Sequence, residues 1–220
     1  MKMPENQKNY VPLIIPIDKP FEKLSNQEAQ EYFDWFISHV DERALYLRHK
    51  VAKSLQIKLE SLDFSLESLT LIWKWFLQVA ELSKTPKKVL DEMEKSLKGH
   101  EQSFIDDMIN ESKEELSAFT KYVIRDISMY VGKMFTKNHI AVTWGYHIDI
   151  EKDSFANMPQ LVGFVDTKYN PPFEMEFEPI FMTEGQAANL FNHTQNENDL
   201  YNICKKWIQW IPKNEAESTY

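Results

Sequence analysis

The side chains best suited to chemistry are His147, Asp149 and Glu151, which alternate along the polar face of one segment. Together with the distant His193, the His147–Asp149 pair supplies two imidazoles and one carboxylate, the donor set of mononuclear iron sites. The alternative is a polar sheet face that simply points at water, as most exposed polar positions do. Because the pattern predicts neither an enclosing cavity nor supporting hydrogen bonds, we expect no metal and no other cofactor.

Nucleophilic and phosphate-binding chemistry has little support in this sequence. The single cysteine, Cys204, lies on the apolar stripe of a predicted helix, where a thiol acts as a small inert hydrophobe. Neither a Gly-x-Ser-x-Gly nor a Ser-x-x-Lys motif is present. Phosphate loops and dinucleotide-binding turns need clustered glycines. The five glycines of this chain are instead widely separated, at Gly99, Gly132, Gly145, Gly163 and Gly185.

Acidic residues are concentrated in the segment that follows the main helices. Of the formal net charge of −9, residues 139–185 carry −6, from eight acids and two lysines. This charge favours a basic protein partner, whose approach it would steer; alternatively, the acids only keep a wet sheet from aggregating. The candidate partner-binding residues are five acids and one tryptophan that departs from the stripe of its helix: Asp149, Glu151, Glu174, Glu176, Glu178 and Trp210.

Charge and hydropathy argue against nucleic acid and membrane partners. A phosphate-binding face needs clustered Lys and Arg, and the closest cluster, Lys84, Lys87 and Lys88, is typical of a solvated helix start. The apolar segment 11–17 has seven residues with two prolines, far short of a membrane span. With no secretory pattern and one cysteine, we predict a cytoplasmic protein with a reduced thiol. The sequence leaves the oligomeric state open.

The elements that must position these residues begin with helices. Ser25 and Glu28 form a capping box at a helix start, and a second helical stretch is predicted over 42–59. Segment 62–80 is apolar on nearly all sides, which predicts a helix at the centre of the fold. Further helices are predicted to start at Pro86, near Phe104, at a Ser112–Glu115 capping box, at Thr183 and near Leu200.

After residue 138 the apolar period changes from helical to two. Segment 139–151 alternates over its whole length and predicts a strand with Trp144 and Ile148 buried and His147 and Asp149 exposed. If this strand neighbours the one that carries Glu174, like charges would face each other across the sheet and lower stability. Two shorter strands are predicted at 161–165 and 173–181. The second also alternates, with one face formed by Phe173, Met175 and Phe177 and the other by Glu174, Glu176 and Glu178.

These elements predict an α+β fold. A helix-rich N-terminal part precedes a small antiparallel β-meander at about 139–182, and two helices follow it. Residues 1–24 contain four prolines and predict an extended arm. Residues 25–212 are expected to form a single domain, and 213–220 a frayed tail.

Two segments resemble motifs of known domain families. LDFSLESL resembles an LDFS-x-x-SL helix opening, and Tyr130, Gly132 and Trp144 resemble a Tyr-x-Gly…Trp helix–strand motif, both found in uncharacterised bacterial α+β domain families. Lys133 departs from the family pattern, which has an acidic residue there. The resemblance covers about residues 60–165 and implies an immunity-like or accessory protein. At Gly132, near the expected helix end, the missing side chain should let another backbone approach closely.

The function favoured by these observations is non-enzymatic binding of a basic protein through the acidic sheet face. One alternative is a metal-dependent enzyme built on His147, Asp149 and Glu151. The other is a structural or regulatory module with an unknown partner. Metal analysis of the purified protein separates the enzyme from the protein that binds through its acidic sheet face.

Overall fold

The computed structural model describes residues 9–147 and 156–212, and within these ranges the chain folds as predicted into an α+β structure. The helices are α1 (Asn26–Leu55), α2 (Ser68–Val79), α3 (Lys87–Ser96), α4 (Gln102–Glu111), α5 (Ala118–Asn138), α6 (Pro179–Ala187) and α7 (Asp199–Ile208). The strands are β1 (Leu82–Lys84), β2 (Glu114–Leu116), β3 (Thr143–Gly145), β4 (Gln160–Asp166) and β5 (Phe173–Phe177). No described helix combines the length and the apolar character that crossing a membrane requires.

The first helix is one continuous element, so the predicted break before residue 42 is wrong. Its capping box is confirmed: the Ser25 hydroxyl accepts from the Glu28 backbone N–H, and the Glu28 carboxylate accepts from the Ser25 N–H. The pKa of the Glu28 carboxyl is lowered to about 2, and the largest cause is the hydrogen bond from Lys19, followed by those from Ser25. The helix ends where Gln56 adopts a left-handed conformation.

The second helix is central, as its nearly uniform apolar composition predicts. It packs against α1, α5 and α7. Trp73 and Phe76 are fully buried, with stacked rings whose centroids lie 4.4 Å apart. The main core therefore forms around this helix.

A two-stranded sheet replaces the predicted start of α5. Residues 114–116 pair antiparallel with 82–84, so Glu115 lies in a strand and the Ser112–Glu115 capping box does not form. The cap is instead Ser117, whose hydroxyl accepts from the Thr120 N–H at 3.1 Å. The helix therefore begins only after β2, because residues 114–116 form backbone hydrogen bonds with β1 instead of a first helical turn.

The long strand predicted at 139–151 is much shorter in the structure. Val142 donates its N–H to the His139 carbonyl in a turn, and this turn leaves Ile140 86% exposed although the alternation predicted it to be buried. Residues 143–145 form β3, and Trp144 and His147 are both half-buried. Ile148, Asp149 and Glu151 lie outside the described residues.

The N-terminal segment is held against α1 and α5 by long basic side chains. Three alternate backbone carbonyls of the arm, those of residues 9, 11 and 13, accept hydrogen bonds from Lys50, Arg43 and Arg125. Tyr10, between the first two carbonyls, is buried in the main core. The extended arm is therefore part of the packed structure from residue 9 onward.

Gly132 lies within α5, not at its end, and what approaches it is a side chain. A Cβ at position 132 would lie 1.9 Å from Cζ2 of Trp144. The Trp144 ring occupies this space and contacts the Phe36 ring edge-on, with centroids 5.2 Å apart. The Tyr-x-Gly…Trp motif is thus a packing contact between a helix and the first strand of the sheet.

We expect Gly132→Ala to destabilise the protein by about 1–3 kcal/mol, because the added methyl group must displace the Trp144 ring. In an ordinary helix the same change is stabilising. Gly185→Ala in α6, where a Cβ meets no atom within 4 Å, is the matched control and should be neutral or stabilising. Urea unfolding measures both; equal effects of the two changes would contradict the contact.

Candidate functional site

The three-stranded sheet has the order β3-β4-β5, and its inner face completes the core. Phe164 and Phe177, on neighbouring strands, are fully buried against Phe135 of α5 and Trp207 of α7. A bulge in β4 between Leu161 and Phe164 turns the side chains of these two residues toward the core, although their spacing of three would otherwise place them on opposite faces. The β4–β5 hairpin is thereby fixed to the body of the protein at one end.

Gly163 makes this bulge possible. Its φ of +106° suits glycine, and a Cβ there would lie 2.0 Å from the carbonyl oxygen of Ala141. The close approach lets the turn before β3 pack directly on the backbone of β4.

The other end of the β4–β5 hairpin extends beyond the core and carries two exposed aromatic rings. Phe173 shares the inner face with Met175 and Phe177 but is 60% exposed, because neither core cluster of the described residues packs against it. Tyr169 is 62% exposed, and its ring contacts that of Phe173 edge-on at 6.2 Å. Aromatic side chains are enriched at protein interfaces, so this pair is a candidate binding feature. We call Tyr169 and Phe173 the aromatic tip.

The predicted row of glutamates does not form one exposed face. Glu174 is exposed beside the aromatic tip, whereas Glu176 is half-buried and bonds through Oε1 to Nε2 of His147. Glu178 is buried, because β5 ends at Phe177 and Glu178 is the N-cap residue of α6. The acidic surface is therefore narrower than the alternation predicts.

The sheet order also removes the expected like-charge repulsion. Strand β4 lies between β3 and β5, so the strand of Glu174 does not neighbour the one that leads to Asp149. The residue directly across from Glu174 is Val165. The Glu174 carboxylate consequently extends from the sheet beside an apolar neighbour.

Trp210 contributes to the packing of the sheet rather than to a free surface. Its ring is half-buried and meets Trp207 edge-on, with centroids 5.2 Å apart. Its backbone carbonyl accepts from the N–H of Val165 at 2.7 Å. These contacts hold the chain end after α7 against β4.

The metal-binding hypothesis gains no support from the described residues. Among them, no group of three or more His, Cys, Asp and Glu side chains is placed to hold a metal ion. Glu176 occupies Nε2 of His147, and His193 is an exposed turn residue with a left-handed backbone. Asp149 and Glu151 lie outside the described residues, so their part of the hypothesis stays a prediction.

Cys204 has the inert environment that its sequence position predicts. It is fully buried, and this burial raises the pKa of its thiol well above the ordinary value. A thiol in such surroundings is neither a nucleophile nor a metal ligand.

The aromatic tip is the feature that sequence reasoning missed. A signal was present: Phe173 directly follows two prolines and begins a strand, and Tyr169 stands just before the same turn. In this chain the turn between β4 and β5 leaves both rings exposed.

Comparison of this chain with protein-family models, with curated proteins and with solved structures finds no match.

Proposed function

We propose that this chain is a non-enzymatic, immunity-like or accessory protein that binds a basic protein partner with the free end of its three-stranded sheet. The observation that carries the proposal is the pair of large exposed aromatic rings, Tyr169 and Phe173, beside the exposed carboxylate of Glu174. The aromatic tip would supply the apolar contact, and the acid would select a positively charged rim.

The charge of the whole chain supports a basic partner. A protein of net charge −9 attracts basic proteins over a distance of about 8 Å at physiological salt and repels acidic ones. Exposed charges of this kind act mainly on the association rate. A buried aromatic anchor acts mainly on the dissociation rate.

The first test is photo-crosslinking in the cells that produce the protein. A photoreactive phenylalanine analogue at position 173 should form a covalent adduct with one basic protein. The same analogue at Leu45, 45% exposed in the middle of α1, is the control and should not form that adduct. Identical adducts from both positions would contradict docking at the aromatic tip.

The second test measures binding kinetics with the protein identified in this way. We expect Phe173→Ala to weaken binding by about 30-fold, the loss of an interface hot spot, mainly through faster dissociation. Glu174→Gln should slow association at low salt and have little effect at high salt. Leu45→Ala should change neither rate, and a Phe173→Ala variant that binds like the wild type would refute the proposal.

A further inference from the structure

Helices α3 and α4 form a helical hairpin that stands apart from the main core. Their strongest contact is with each other. The two three-residue strands β1 and β2 connect them to the rest of the protein. None of their apolar side chains belongs to either core cluster of the described residues.

The apolar side of this hairpin is incompletely covered. Each helix has an apolar stripe, and of the eight stripe residues only Ile105 is buried. Val89, near the stalk formed by β1 and β2, is 49% exposed, and Phe104, near the far end, is 45% exposed. The eight residues are Val89, Leu90, Met93, Leu97, Phe104, Ile105, Met108 and Ile109.

Such a hairpin gains little stability by itself. Each helix has ten residues, below the length of about 12–15 at which isolated helices become stable in water. Helical stability in proteins comes mainly from packing an apolar face against another element. In the described part of the chain the main packing partner of α3 is α4, and this contact leaves α3 with no buried residue.

The charges of the hairpin differ between its two ends. The stalk end has a net charge of +1, from four lysines and three glutamates: Lys84, Lys87, Lys88, Lys113, Glu111, Glu114 and Glu115. The far part has a net charge of −4, from six acids and two lysines: Asp91, Glu92, Glu94, Glu101, Asp106, Asp107, Lys95 and Lys98. A second copy of this hairpin, turned end for end, therefore presents the complementary charge at both ends.

We propose that the α3–α4 hairpin binds a second copy of this chain, antiparallel, to form a four-helix bundle around a two-fold axis. The stalk end of each copy then lies against the far end of the other, so each contact occurs twice, as in any isologous interface. The exposed Val89 of one copy lies at the level of Phe104 of the other. The bodies of the two copies lie at opposite ends of the bundle, and both aromatic tips belong to the bodies.

The first test is sedimentation equilibrium of the wild-type protein from about 1 µM to about 1 mM, the range over which a weak to moderate dimer forms. We expect a reversible monomer–dimer equilibrium. Val89→Ser/Phe104→Ser should shift the dissociation constant at least about 10-fold upward without lowering the melting temperature of the main core, because neither side chain belongs to it. A wild-type protein that stays monomeric throughout would overturn the proposal.

Charge reversal identifies the antiparallel pairing itself. Lys87→Glu/Lys88→Glu changes the stalk end from +1 to −3, and Glu94→Lys/Glu101→Lys/Asp106→Lys changes the far end from −4 to +2. Each variant alone places like charges together at both contacts and should be monomeric. An equimolar mixture restores opposite charges at both contacts and should form a heterodimer.

The outcomes of the mixing experiment are decisive. Loss of the dimer in each variant alone, with recovery in the mixture, supports the antiparallel bundle. In a stalk-to-stalk pairing the wild type would already place like charges together at both contacts, so each variant alone would dimerise about as well as the wild type. Dimers formed by either variant alone, or no dimer in the mixture although circular dichroism shows both variants folded, would overturn it. None of these results depends on the partner of the aromatic tip.

Discussion

Asp126→Ala should destabilise the native protein by about 3–5 kcal/mol, the usual consequence of breaking a buried ion pair from one side. The Asp126 carboxylate has no exposed surface and accepts the Nε–H of Arg43 at 2.9 Å, a second guanidinium hydrogen bond and the Tyr10 hydroxyl. Its removal leaves the Arg43 guanidinium, 7% exposed, without a counter-charge.

The ion pair also holds the N-terminal arm. Besides Asp126, the Arg43 guanidinium donates to the Val11 carbonyl at 2.9 Å. Burial lowers the pKa of Arg43, but the hydrogen bonds and the charge of Asp126 outweigh this effect and raise it above the ordinary value. Arg43 therefore stays charged and must keep its acceptors, so loss of Asp126 should loosen the arm as well as the core.

Urea unfolding and hydrogen exchange test this expectation. The control is the double variant Arg43→Met/Asp126→Leu, which removes both charges and should recover part of the lost stability. The recovery is incomplete because the Tyr10 hydroxyl and the Val11 carbonyl still lose their partners. Amide protons of the arm near Val11 should exchange faster in Asp126→Ala than in the wild type. A loss below about 1 kcal/mol, within the range of ordinary surface substitutions, would show that the pair contributes little to the folded state.

This network was invisible in the sequence because its members are far apart along the chain. Tyr10 and Asp126 are separated by 116 positions, and Arg43 and Asp126 by 83. No local spacing connects them, and Asp126 interrupts an apolar helix face in the way that a solvated residue would. Only the packing of α1 against α5, which brings the two helices together, creates the pair.

Local signals with a direct mechanism, in contrast, were sufficient. The Ser25–Glu28 capping box and the apolar character of the segment that became α2 gave a correct helix start and a correct central helix. The Ser112–Glu115 motif has the same form and failed, because Glu115 pairs with Ser83 in a sheet that forms only in the folded protein. A capping motif therefore predicts a helix only where no strand partner competes for the same backbone.

The alternation after residue 138 shows the same limit for strands. It predicted the inner face of the sheet correctly at Phe177 and failed at Ile140 and Glu178, where a turn and a helix start interrupt the strand. The sequence therefore identified the sheet as the candidate binding region. It did not identify the aromatic tip, which is the most exposed apolar feature of that sheet. Burial depends on how far the core extends along a strand, and a period of two carries no such information.

Trp73→Ala should cause a loss of stability as large as that of Asp126→Ala, about 3–5 kcal/mol, for a different physical reason. The Trp73 side chain is fully buried in α2 and stacks on Phe76. Truncation removes these contacts and leaves a cavity beside α1, α5 and α7; because α1 and α5 pack against each other, the site cannot collapse freely. The loss should appear in urea unfolding as a lower midpoint with an unchanged slope.

A conservative variant separates cavity formation from a polar effect. The indole Nε1 of Trp73 is buried and has no hydrogen-bond partner among the described residues, and an unpaired buried donor costs about 1–3 kcal/mol. Trp73→Phe removes this unpaired donor and keeps most of the ring. The stability gained by removing the donor should offset part of the stability lost to the cavity, which is smaller than in Trp73→Ala. We expect it to lose less than half as much stability as Trp73→Ala. Equal losses would mean that the indole N–H has a partner in solution, and an alanine variant as stable as the wild type would place α2 outside the core.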